Sequence, residues 1–327
     1  MKRNPALDIA KGIGIILVVF GHSYSSGNPF YYWIGSFHMP LFFLVTGIVY
    51  GMRKAEYRAI QFPWRKKIST MLVPYLIWGL LTQGTFGMLK IIGGSAPGEV
   101  FTSVLQQIYR GNAGFLWFLP TLFLAELLFY LFSTDQIRFP AMLALGCVGL
   151  FFPALPWLPG NDSRCLLAFF FIAAGYFGHR ILLTPGKPIL LLLCTCLSFG
   201  LGAANGEVIL PGGQLGNPFL FFITSFCGSY IVIQLSHAIS HHGKKAASIL
   251  AWFGKNSIII LCVHNLFTEG IRLLDHKTLG ILSVSGFFEG FLVAVPTLVM
   301  MFPVITFCNR YLYWSFGKSK IQHEVSK

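Results

Sequence analysis

Charge is scarce in this chain. Asp, Glu, Lys and Arg make up only 11% of its 327 residues, and 11 acidic residues stand against 24 basic ones. So thin a polar shell excludes a water-soluble domain of this size, because 55% hydrophobic residues and a mean hydropathy of +0.68 would leave large apolar patches in water. Metal-ligand cysteine pairs and disulfide frameworks are missing too: Cys147, Cys165, Cys194, Cys196, Cys227, Cys262 and Cys308 are scattered through apolar runs and read as small hydrophobes. No linker or low-complexity stretch divides the chain, so 1–327 reads as one polytopic domain. No internal repeat is evident, which counts against transporter folds built from inverted repeats.

What is abundant is apolar sequence in runs of bilayer length. Ten candidate spans fall near 6–25, 35–52, 68–91, 115–133, 139–156, 164–181, 187–204, 217–239, 248–268 and 282–309. The fold class expected is therefore an all-α integral membrane protein with about ten transmembrane helices. Placing the N-terminus inside puts 18 of the 24 basic residues on the cytosolic side, which predicts an N-in, C-in topology. The net charge of +13 is then mostly a topology signal, and no basic, aromatic-interleaved module points to nucleic acid. Met-Lys-Arg ahead of an apolar core resembles a signal peptide, but Asp8 and Lys11 around that core argue for a retained span.

Within the first span Asp8, Lys11 and His22 fall on one helical face, with Lys11 and His22 roughly 16 Å apart. Ionisable groups inside a bilayer are expensive, so such a stripe marks a functional surface turned away from lipid. His22 lies toward the outer side. His38 opens the second span at its outer end, and the short loop between them lets both imidazoles face one outward cavity; the alternative for His38 is an interfacial position beside Tyr32 and Trp33. The basic segment 53–67 reads either as a topology determinant that also holds anionic head groups, or as a landing site for a cytosolic nucleotide phosphate with Lys11 at the base of the same funnel. Trp117 and Arg164 lie at the outer side, where interfacial belt and anchor roles compete with substrate contact, and His264, eight residues beyond Asn256, again lies toward that side. Glu126, deep in an apolar helix, requires a partner.

These residues form a pattern. Leu7-Asp8-x-x-Lys11-Gly12 with His22, followed by Phe37-His38-Met39-Pro40-Leu41-Phe42-Phe43 and Thr46-Gly47, resembles the acyltransferase family 3 membrane proteins, most closely the fucose 4-O-acetylase-like branch. The likeness continues through Leu116-Trp117-Phe118-Leu119-Pro120, Arg164 ahead of Phe169-Phe170-Phe171 and Gly175-Tyr176, and Gly254-Lys255-Asn256-Ser257 with His264. It implies a membrane-bound O-acyltransferase that takes an acyl group, usually acetyl, from cytosolic acyl-CoA and passes it to a sugar hydroxyl of a surface or exported glycan. Acetyl-CoA is then a cosubstrate and no metal is implied. A multi-pass location in a bacterial inner membrane follows from the likeness, and a homo-oligomer is compatible with it. The family's basic residue ten positions short of a histidine maps to Lys11 and His22. Its two basic residues spaced by three before a proline are half kept: Lys67 precedes Pro74, but Thr70 occupies the second position, leaving Arg65 or Lys66 as substitutes in gripping the CoA.

The chemistry agrees with that likeness. Moving an acyl group from a thioester to an alcohol needs a base for the hydroxyl proton, and imidazole suits the task. His22 is the candidate, as base or as acyl carrier. Asp8 would orient Lys11, while Lys11, Arg65, Lys66 and Lys67 would take the phosphates. His38, Trp117, Arg164 and His264 are the candidate acceptor-side residues, lining the site or stabilising an oxyanion. The competing reading is an exporter of a lipid-linked glycan or small metabolite without covalent chemistry, which would be indifferent to CoA. A non-catalytic scaffold would leave the intramembrane charges unexplained.

Overall fold

An Asn-Pro step opens three of the long helices. The side chains of Asn4, Asn28 and Asn217 accept hydrogen bonds from the N–H groups of Ala6, Phe30 and Phe219 at 3.0, 2.9 and 2.9 Å, and the proline that follows each has no N–H to leave unpaired in the first turn. In the computed structural model, residues 4–24, 27–53, 62–132, 144–148, 162–278, 280, 282 and 288–318 are described. The elements run α1 (Pro5–Ser23), α2 (Pro29–Met52), α3 (Trp64–Ile92), α4 (Pro97–Tyr109), a 3-10 turn (Gly114–Trp117), α5 (Phe118–Phe132), α6 (Asp162–Leu183), α7 (Pro188–Asn205), a second 3-10 turn (Leu210–Gly212), α8 (Pro218–His242), α9 (Lys244–Lys255), α10 (Ser257–Thr278), α11 (Glu289–Tyr311) and a third 3-10 turn (Tyr313–Phe316). Among the described residues nine stretches are long and apolar enough to cross a bilayer, and the chain is an all-α, multi-pass membrane protein. They correspond to nine of the ten expected spans. The other, near 139–156, lies outside the described residues except for 144–148.

Some boundaries differ from the sequence reading. The span expected over 248–268 is two helices, of which only α10 crosses. α9 is amphipathic, with Lys244, Lys245 and Lys255 exposed and Phe253 buried, so a hydropathy window counted its apolar side into the next span. Likewise the expected outer loop 92–114 contains α4, and Arg65–Lys67 of the expected inner loop form the first turn of α3. That turn runs into a π-helical segment, Ile68–Leu72, before regular α-helix resumes.

The core is built on α1 and α2. In the apolar window of α2, 78% of residues are buried, against 11% in α7, so α2 is central and α7 peripheral. Glycine sets how closely these helices approach their neighbours. A methyl group at Gly12 would run into the Leu250 carbonyl, and one at Gly254 into the Asp8 carbonyl. The same reciprocity joins α2 to α6, where Gly47 faces the Ile172 carbonyl and Gly175 the Leu44 carbonyl. Apolar side chains gain little from leaving lipid for protein, so such close backbone packing carries much of the association. Proline adds a polar contact. Pro40 cannot bond the Ser36 carbonyl within α2, and the Ser225 hydroxyl of α8 donates to that oxygen instead, at 2.7 Å. Glu126 on α5 finds its partner in Lys67, whose ammonium also donates to the Tyr50 hydroxyl at 3.1 Å.

These contacts fix which ends lie together. Gly254 meets the start of α1, and Gly317 packs on Ser69 at the start of α3, so both described ends of the chain lie on one face. Lys11, Arg65, Lys66 and Lys255 belong to the same face, which the excess of basic residues marks as cytosolic.

Gly47→Val is expected to abolish monodisperse, folded protein in detergent. Gly200→Ala, where nothing lies within 4 Å of the added methyl, should leave the melting temperature unchanged or raised, because alanine gains about 1 kcal/mol of helix propensity. Size-exclusion chromatography with thermal scans reads both. Glu126→Ala strands a half-buried ammonium and is expected to cost about 3 kcal/mol of unfolding free energy, most of it recovered in the double variant Lys67→Met/Glu126→Leu.

Candidate active site

The unbroken helix α1 carries the polar stripe from one face toward the other. Asp8 is buried and Lys11 half-buried at the level where α9 crosses, while His22 stands in the last turn of the helix. There the His22 ring packs 3.9 Å, centroid to centroid, from Phe115 and lies stacked 5.4 Å from His264.

Beside these rings is a cavity of about 180 Å³. His22, His38, Trp117, Phe115 and Tyr31 line it, and the turn Val208–Pro211 covers it on the side away from the basic face. That turn is held locally by paired backbone hydrogen bonds between Ile209 and Gln214 and by the Tyr31 hydroxyl, which donates to Glu207 at 2.9 Å. The structure thus brings His22, His38 and Trp117 to one cavity. His264 stands behind His22 rather than in the lining. Arg164 does not line it either: its guanidinium lies 5.9 Å from the Trp117 ring centre and donates to the Asn112 side chain at 3.4 Å.

Two of the imidazoles have an assigned hydrogen. A carbonyl oxygen only accepts, so Nδ1 of His38 must donate to Ile34 at 2.7 Å, and Nδ1 of His264 to Ile260 at 2.8 Å. Nε2 is then the ring nitrogen left to each. In His264 that atom is buried without a hydrogen-bond partner among the described residues.

A second, smaller void of about 30 Å³ extends the cavity toward the basic face. The two share Val18, Met39 and Leu261, and the smaller one reaches Ser257, the first residue of α10. Its walls are otherwise apolar, from Ile15, Phe42 and Phe118 among others. It is a slot with room for roughly one or two waters.

On the basic face, Arg65 and Lys66 are exposed at the start of α3, while Lys67 is engaged by Glu126 and Tyr50. Thr70, standing where relatives by resemblance carry a second basic residue, turns its hydroxyl back to the Lys66 carbonyl at 2.8 Å. Phe115, Tyr31 and the 208–211 turn were not among the residues singled out from sequence. Phe115 had a signal, since it precedes the Leu116-Trp117 motif and follows Gly111 and Gly114, both at positive φ. The turn had none, because nothing in a loop sequence says which cavity it covers.

A sequence model described as an acyltransferase domain, Acyl_transf_3, matches residues 4–315. No curated protein and no solved structure matches the chain. The family match takes in every candidate residue of the cavity, the slot and the basic turn, and the chain belongs to acyltransferase family 3.

Proposed function

We propose that this membrane acyltransferase moves an acyl group, acetyl in the first instance, from cytosolic acyl-CoA to a sugar hydroxyl of a surface or exported glycan, and that it works in a bacterial inner membrane. The observation that carries the reading is the placement of His22: on a cavity facing away from the basic face, at the end of the helix whose other half bears Lys11, with an apolar slot between the two sides. Nucleotide phosphates are held at the basic face by Lys11, Arg65 and Lys66, and the uncharged pantetheine arm follows the slot toward His22. Lys67, its charge matched by Glu126, keeps the basic turn in place. Asp8 orients Lys11.

Transfer then needs one mobile proton. The acceptor hydroxyl gives its proton to the His22 imidazole as its oxygen bonds to the thioester carbonyl carbon. The C–S bond breaks, and the leaving sulfur takes the proton back. If the acyl group passes first to the imidazole, the same side chain is required. With Nδ1 committed to Ile34, His38 offers Nε2 as an acceptor to a sugar hydroxyl, a better match than oxyanion stabilisation. Trp117 offers an apolar wall, and Arg164 acts through it.

The test is transfer of label from acetyl-CoA to an endogenous glycan fraction in inside-out vesicles at matched protein level. His22→Ala is expected to lose about 100-fold or more of the wild-type rate. Equal labelling would remove His22 from the mechanism, and CoA-independent behaviour of the wild type with a competent acceptor would favour an exporter. His38→Leu is expected to raise the acceptor KM about tenfold with the donor KM unchanged, the loss of one hydrogen bond, read from initial rates at varied acceptor.

A further inference from the structure

After α11 the chain folds back onto the basic face. Trp78 of α3 stacks on Phe316 at 5.2 Å between centroids, and its indole N–H donates to the Ser315 hydroxyl at 3.3 Å. Gly317, at φ +66, makes the turn, and a side chain there would run into the Ser69 carbonyl. The next residue, Lys318, is thereby delivered between the π-helical segment that follows Arg65–Lys67 and the junction of α9 with α10.

Its surroundings are unusual for a lysine. The ammonium donates to the Asn309 side-chain oxygen at 2.6 Å and to that of Asn256 at 3.3 Å. Asn309 donates to the same Asn256 oxygen at 3.0 Å, and Asn256 donates to the Trp252 carbonyl at 2.9 Å. The carboxamides are thus locked by one another and by the backbone, and they aim two oxygens at one cation. Both are neutral. No carboxylate pairs with Lys318 among the described residues, whereas Lys67 has Glu126. Burial pushes the Lys318 pKa below the usual lysine value, with Cys308 opposing, so the fold holds a partly desolvated ammonium without balancing its charge. Next to Asn256 stands Ser257, which lines the inner end of the slot.

We propose that Lys318, clamped by Asn256 and Asn309, binds a phosphate of the nucleotide part of the acyl donor at the mouth of the slot. The C-terminal turn then supplies a donor-binding residue alongside Lys11, Arg65 and Lys66. An ammonium whose two amide partners satisfy part of its hydrogen bonding keeps its full charge for an incoming anion, and a phosphate ester supplies that charge with strong acceptor oxygens. The inference rests on the acyl-CoA reading. The head group of an anionic lipid carries the same phosphate chemistry, so the experiment has to separate the two sources.

Purified full-length protein in phosphatidylcholine nanodiscs, which are zwitterionic and open on both faces, would be assayed with acetyl-CoA and with acetyl-pantetheine, a thioester without phosphate. Lys318→Gln is expected to raise the KM for acetyl-CoA about ten- to a hundredfold with kcat little changed. The KM for acetyl-pantetheine should match that of the wild type, and Lys318→Arg should restore most of the acetyl-CoA affinity. An equal rise for both donors would assign Lys318 a purely structural role, and an unchanged acetyl-CoA KM would place the phosphates elsewhere. An effect that emerges only on adding anionic lipid would assign the phosphate to the bilayer. Each of these three overturns the proposal. Failure of the wild type itself to use acetyl-CoA would overturn the acyl-CoA reading, and this inference with it. Monodisperse elution of both variants guards against misfolding.

Discussion

Four glycines decide how near α1 and α2 come to the helices beside them, and the site depends on that closeness. Gly12 with Gly254 and Gly47 with Gly175 let backbone lie on backbone, each carbonyl occupying the space where a side chain would stand. Both clamps sit in the halves of α1 and α2 that lie toward the basic face. In the other halves the same two helices contribute His22 and His38 to the lining of one cavity. Rigid helices pinned at one end hold their far ends in register, so two imidazoles are positioned without any direct hydrogen bond between them.

Half-buried lysine is handled in two ways on the basic face. Lys67 is neutralised by Glu126 and steadied by Tyr50, a closed arrangement that ties α3 to α5 and α2. Lys318 is surrounded by carboxamides, which direct it without cancelling it. The contrast is one of function as well as energy. An ion pair inside a protein is costly to break and so suits a structural joint, while an oriented, unbalanced charge suits recognition of something that comes and goes.

Much of this was legible in the residues. Asp8, Lys11 and His22 could be placed on one face from helical spacing alone, because α1 is unbroken. The crossing helices and the need of Glu126 for a partner were likewise local or compositional facts. What stayed hidden was tertiary. Hydropathy averages over a window and so fused α9 with α10, since the apolar side of an amphipathic helix weighs the same as a stretch facing lipid. Lys318 counted as one more cytosolic charge, because its meaning comes from Asn256 and Asn309, brought to it only by folding. The 208–211 turn covers His38 from far along the chain, and Arg164, which read as a lining residue, turned out to touch the cavity only through Trp117.

The narrow slot carries a last consequence. Any passage joining the two faces of an energised membrane is a route by which protons and ions dissipate the gradient, at about 2.3 kcal/mol per charge for each 100 mV. A gap of about 30 Å³ walled by Ile15, Val18, Phe42 and Phe118 is too tight and too apolar to keep a hydrated ion, and hydrophobic constrictions of this kind close by shedding water. A slender uncharged chain pays no such cost of dehydration, and enters once the apolar side chains of the wall move aside for it. On the acyl-CoA reading the slot is therefore an insulator: it lets a reactive group reach the far side while the phosphates, and the voltage, stay where they are.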